Sequence, residues 1–96
     1  MSLIEGTDFA DSLVGGYADE TILGGVGEDT LYGGRGNDSI DGGADNDSIY
    51  GGDDNDTLIG GDGNDTINGG DDDDYIDGGA GDDVLHGGYS TYIDVI

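Results

Sequence analysis

Cysteine is missing from all 96 residues, so neither a disulfide framework nor a thiolate metal centre can hold this chain together. Lysine is missing too, and a single arginine faces 24 acids, which sets the formal charge at −23. Such a field repels nucleic acid and anionic lipid and draws in cations. No apolar run approaches the roughly 20 residues that cross a bilayer, and the first residues lack the basic and apolar regions of a cleaved signal peptide. No membrane insertion is expected. Hydrophobic residues make up only 32% of the chain. That is too little apolar burial to offset ordering at roughly 1–2 kcal/mol per residue. With cysteine excluded, bound hard cations are the remaining candidate for stabilising the fold.

Catalytic signatures are lacking as well. There is one histidine, His86, and no H-E-x-x-H, no G-x-S-x-G and no EF-hand loop. One histidine without cysteines makes no zinc site. The chain reads as a non-enzyme, and His86 as a surface residue.

What is present is a nine-residue period. Gly60 to Asn68 reads Gly-Gly-Asp-Gly-Asn-Asp-Thr-Ile-Asn, and nine such units run in register from Gly6 to His86. The eighth position is always aliphatic: Leu13, Ile22, Leu31, Ile40, Ile49, Leu58, Ile67, Ile76 and Leu85. The sixth is always acidic: Asp11, Glu20, Asp29, Asp38, Asp47, Asp56, Asp65, Asp74 and Asp83. Strict placement of the acids argues against mere solvation of a linker. The fourth position alternates Gly27, Gly36, Gly63 and Gly81 with Asp45, Asp54 and Asp72, all residue types that accept a positive φ. The first six residues of a unit therefore predict a turn, and the last three a short strand with its middle side chain inward.

Two turns and two strands close one coil of eighteen residues, so the 81 residues of the nine units predict four and a half coils of an all-β parallel roll. Its interior is two facing ladders of Leu and Ile. Residues 1–5 read as a lead-in whose Ile4 keeps the apolar register and covers the first coil, and residues 6–86 as the repeats. Residues 87–96, where Tyr92 replaces the acid and Asp94 the aliphatic, read as a degenerate repeat or C-terminal cap.

The unit matches GGxGxDxUx and so resembles the RTX (repeats-in-toxin) calcium-binding nonapeptide over Gly6 to His86. The resemblance implies calcium held between stacked turns. One turn gives its second and fourth carbonyls and its Asp; the turn one coil on gives its first and third carbonyls and its Asp. Five sites follow from this. The first joins Gly25, Gly27 and Asp29 to Gly42, Ala44 and Asp47, and the second joins Gly34, Gly36 and Asp38 to Gly51, Asp53 and Asp56. The third joins Gly43, Asp45 and Asp47 to Gly60, Asp62 and Asp65, and the fourth joins Gly52, Asp54 and Asp56 to Gly69, Asp71 and Asp74. The fifth joins Gly61, Gly63 and Asp65 to Gly78, Ala80 and Asp83. The sites at Asp11, where Thr7 and Phe9 replace glycines, and at Glu20, with its longer arm, are degenerate. Several calcium ions, about five to eight, are implied.

In this family such blocks accompany secreted proteases, lipases, toxins and adhesins. The resemblance thus implies export, an attached parent domain, and a chain that orders on meeting calcium. It leaves end-to-end self-association open. Two other readings compete. Outward Ser and Thr at the seventh position could form a surface-recognition, adhesin or ice-binding array; alternatively, the block is a minimal engineered roll with no activity beyond binding calcium. Tyr32 and Tyr50, eighteen residues apart, are expected to stack in line with Val14, Asn68 and His86.

Overall fold

A triplet with an aliphatic centre, mostly led by Ser or Thr, follows each glycine-rich turn and favours extended backbone, and the period of nine brings every second triplet alongside itself. In the computed structural model, which describes residues 2–88, this produces ten strands in chain order. They are β1 (Ser2–Glu5), β2 (Ser12–Val14), β3 (Glu20–Leu23), β4 (Thr30–Gly34) and β5 (Ser39–Asp41), followed by β6 (Ser48–Gly52), β7 (Thr57–Ile59), β8 (Thr66–Gly70), β9 (Tyr75–Asp77) and β10 (Val84–His86). The odd strands form one sheet, β1-β3-β5-β7-β9, and the even strands the other, β2-β4-β6-β8-β10. Every pairing is parallel with a shift of eighteen residues, as in Ile22↔Ile40 and Leu31↔Ile49. The result is a parallel β-solenoid only 13 Å through its thinnest dimension.

The core is one residue thick from each side. Ile22, Ile40, Leu58 and Ile76 face Leu31, Ile49 and Ile67, all at most 3% exposed, with Ile4, Leu13 and Leu85 packed on them at the ends. Exposed seventh-position hydroxyls such as Ser39, Ser48, Thr57 and Thr66 alternate with these inward side chains.

Two features differ from the sequence expectation. Ser2–Glu5, expected as a lead-in or cap with Ile4 over the first coil, does pack Ile4 on the core but also forms a strand, with Ile4 paired to Ile22, which brings the roll to about five coils. In addition, β4, β6 and β8 run five residues because their closing glycines pair as well, Gly34 with Gly52 and Gly52 with Gly70. The expected cap beyond Gly88 lies outside the described residues.

Candidate metal centre

The corners are built by backbone that most side chains cannot adopt. Asp45, Asp54 and Asp72 hold φ of 70–71°, and Gly27, Gly36, Gly63 and Gly81 hold 91–106°, all in the left-handed region. The second-position glycines from Gly25 onward share it; Gly52, for example, has φ 95°. A Cβ on Gly52 would collide with the Gly34 carbonyl of the coil before, so only glycine permits the coils to stack this closely.

Inside each corner lies the sixth-position acid. Asp29, Asp38, Asp47, Asp56 and Asp65 are at most 2% exposed. One carboxylate oxygen of each, Oδ1, accepts the backbone N–H of the acid one coil earlier at 2.8–2.9 Å, as Asp47 Oδ1 does from Asp29 and Asp56 Oδ1 from Asp38. The other oxygen, Oδ2, accepts no hydrogen bond in any of these five. Leaving a buried anionic oxygen unpartnered is costly, and the carboxyls titrate accordingly. Burial, only partly offset by the N–H bond and reinforced by neighbouring carboxylates, pushes Asp38 up to about 6, Asp47 to about 7 and Asp56 to about 8. Burial raises Asp29 and Asp65 as well.

Each unpartnered oxygen points toward a second oxygen. A Cβ placed on Gly24 would lie 2.7 Å from Asp29 Oδ2 and 2.6 Å from the Gly42 carbonyl. The same cradle recurs at Gly33 with Asp38 and Gly51, at Gly42 with Asp47 and Gly60, at Gly51 with Asp56 and Gly69, and at Gly60 with Asp65 and Gly78. A carboxylate from one coil and a first-position carbonyl from the next therefore converge on a spot kept free by glycine. Carboxylate and carbonyl oxygens without nitrogen or sulfur suit a hard cation such as calcium. Among the described residues no three His, Cys, Asp or Glu side chains form a metal cluster.

Other residues named from the sequence are placed differently. The second-position carbonyls of Gly25, Gly34, Gly43 and Gly52 each accept a ladder bond from Ala44, Asp53, Asp62 and Asp71 at 2.9–3.1 Å, leaving one lone pair apiece. The side chains of Asp45 and Asp54 accept the N–H groups of Gly27 and Gly36 one coil earlier, and Asp72 accepts that of Asp54. Asp53 lies 3.9 Å from Arg35. The acids at the first two corners are already satisfied: Asp11 Oδ2 accepts Thr7 N–H at 2.6 Å, and Glu20 Oε1 accepts Gly16 N–H at 3.0 Å.

One set of corner residues escaped sequence reasoning. Asn37 and Asn46 accept through Oδ1 the N–H of Asn55 and Asn64, and these in turn accept from Asp73 and Asp82, at 2.7–2.9 Å. Their recurrence at the fifth position is the signal in the sequence.

The family model for the RTX calcium-binding nonapeptide repeat matches residues 3–31, 23–58 and 59–88. No curated protein and no solved structure matches.

Proposed function

This chain belongs to the family of RTX calcium-binding nonapeptide repeats, and we propose that it is a calcium-responsive folding module, disordered and acidic without the ion and coiled into the roll with it. The observation that carries the reading is the row of five buried carboxylate oxygens, Asp29, Asp38, Asp47, Asp56 and Asp65 Oδ2, that accept no hydrogen bond. Bound calcium would supply the positive charge that these oxygens lack. The residues that would hold it pair Asp29 with Asp47, Asp38 with Asp56, Asp47 with Asp65, Asp56 with Asp74 and Asp65 with Asp83. Each pair would be completed by the second- and fourth-position carbonyls of the first turn and the first- and third-position carbonyls of the turn one coil on. Stacked carboxylates repel one another in a chain of charge −23, and the seam of seven buried aliphatics is too thin to hold the coils against that repulsion.

In this reading the module has no catalytic role and serves the folding of a secreted parent after export, where calcium is plentiful. Circular dichroism in excess chelator and then in millimolar calcium tests it. The expected result is a disordered spectrum that converts to strand on adding the ion; a strand spectrum unchanged by chelator overturns it.

A second reading, surface recognition, is favoured by the exposed and aligned hydroxyls of Thr30, Ser48 and Thr66 on one sheet. Thermal hysteresis, or adsorption to a surface, that survives replacement of all three by alanine would remove it.

A further inference from the structure

On the outer face of the even-numbered sheet, Tyr32 and Tyr50 stack with ring centroids 4.9 Å apart and planes 3° from parallel. The register continues the row through Asn68 to His86. One ring is therefore missing from a column of rings. The far face of Tyr50 looks along the sheet toward Asn68, and strand spacing places His86 roughly 9.6 Å from Tyr50, the thickness of one further stacked group between two rings. Asn68 does not fill the space, because its Oδ1 turns back to accept the Gly70 N–H at 3.0 Å. Gly70 and Gly88, with φ 89° and 88°, add no side chain, and a Cβ on either would meet the coil before. A groove of about 190 Å³ results, lined by Tyr50, Asn68, Gly70, His86 and Gly88.

The charge around the groove says what kind of planar group it takes. Asp71 directly follows the groove-lining Gly70, and its N–H bonds at 3.0 Å to the carbonyl of Gly52, the residue before Asp53, so two acids border the groove. The turns of the roll already carry an example of the pairing. Arg35 lies 4.9 Å over the Tyr17 ring and 3.9 Å from Asp53, a planar cation between a tyrosine face and an acid of the next coil.

We propose that the groove between Tyr50 and His86 is a binding slot for an arginine side chain of a partner protein, whose guanidinium stacks on the open face of Tyr50 beside Asp71. A flat, weakly hydrated cation stacks on an aromatic ring as an ammonium cannot. The chain's own single arginine is already engaged with Tyr17 and Asp53, so a second copy has none to offer.

The test uses the full, calcium-saturated chain titrated with N-acetyl-arginine amide and, separately, N-acetyl-lysine amide, following the Tyr50 and His86 ring protons by NMR. Saturable shifts are expected with the arginine amide, at an affinity about three- to tenfold above that of the lysine amide. They should vanish in Asn68→Tyr, which completes the column, and in Tyr50→Leu, which removes the stacking face, each checked for an unchanged strand spectrum. Equal binding of the two amides would reduce the effect to diffuse attraction by a polyanion and overturn the slot. So would undiminished binding by folded Asn68→Tyr. No shift with either amide also overturns it.

Discussion

The first two corners and the five that follow share a register, a buried or half-buried acid and a glycine before it, yet their acids are in opposite situations. At Thr7 and Gly16 the second residue of the turn lies outside the left-handed region, and its N–H reaches the acid of its own turn, Asp11 or Glu20. From Gly25 onward the second residue takes a positive φ, and the acids Asp29 to Asp65 keep an oxygen without a partner. A single change of backbone hand at one position thus separates a corner that satisfies itself from one that needs something from outside. The first two turns bond to their own acids; the later ones are where the proposed cation would sit.

The backbone difference supplies the most severe test. Gly52→Ala places a Cβ against the Gly34 backbone at φ 95° and is expected to cost about 3 kcal/mol or more in urea unfolding of the calcium-loaded protein. In Gly16→Ala the new Cβ meets nothing nearer than Glu20 Oε2 at 3.9 Å, and stability is expected within about 1 kcal/mol of the parent, on the stabilising side. Equal costs would erase the distinction between the two kinds of turn.

The acids give the next largest contrast. Asp47→Asn removes charge from two of the proposed sites while an amide oxygen can still accept the Asp29 N–H. The calcium concentration at half-folding is expected to rise about tenfold, with the chelated protein no less ordered than before. Asp11→Asn, at a corner that bonds to its own turn, is expected to shift that midpoint by less than about threefold. A calcium titration followed by circular dichroism compares the two.

Acidity sharpens the same point without metal. Carboxyls whose native pKa exceeds the unfolded value of 3.8, Asp38 at about 6, Asp47 at about 7 and Asp56 at about 8, bind more protons folded than unfolded between those limits. Their ionisation therefore opposes the roll as pH rises, and the chelated chain should gain strand signal on acidification from pH 8 toward pH 4. A chelated chain that loses order over that window would contradict the burial of these acids. The smallest effect is expected from Asn55→Ala, which removes one exposed acceptor of the Asp73 N–H and should cost about 0.5–1 kcal/mol by urea unfolding with calcium present.

Periodicity made the central architecture legible. The eighth-position aliphatics and sixth-position acids locate both ladders because each depends only on side-chain type at a fixed register. What escaped is whatever depends on where a backbone group points. Ile4 alone kept register before Gly6, too short a signal to reveal a full strand, although pairing with Ile22 makes β1 one. The ladder bonds accepted by the Gly25 and Gly43 carbonyls, and the N–H of Gly16 turned toward Glu20, follow from peptide orientation that glycine leaves undetermined. The asparagine row at Asn37, Asn46, Asn55 and Asn64 was visible as letters, but its bonds cross between coils that sequence does not juxtapose.

Adjacent residues in one turn reach in opposite directions along the axis. Asn55 N–H is held by Asn37 from the coil before, while Asp56 N–H bonds forward to the coil containing Asp74. An isolated coil would forfeit both, so its loops cannot be tethered until neighbours flank it on either side. Length itself then becomes a threshold: each coil taken from the stack removes one seam and leaves a new end loop clasped on one side only, and tension applied end to end loads every seam in series.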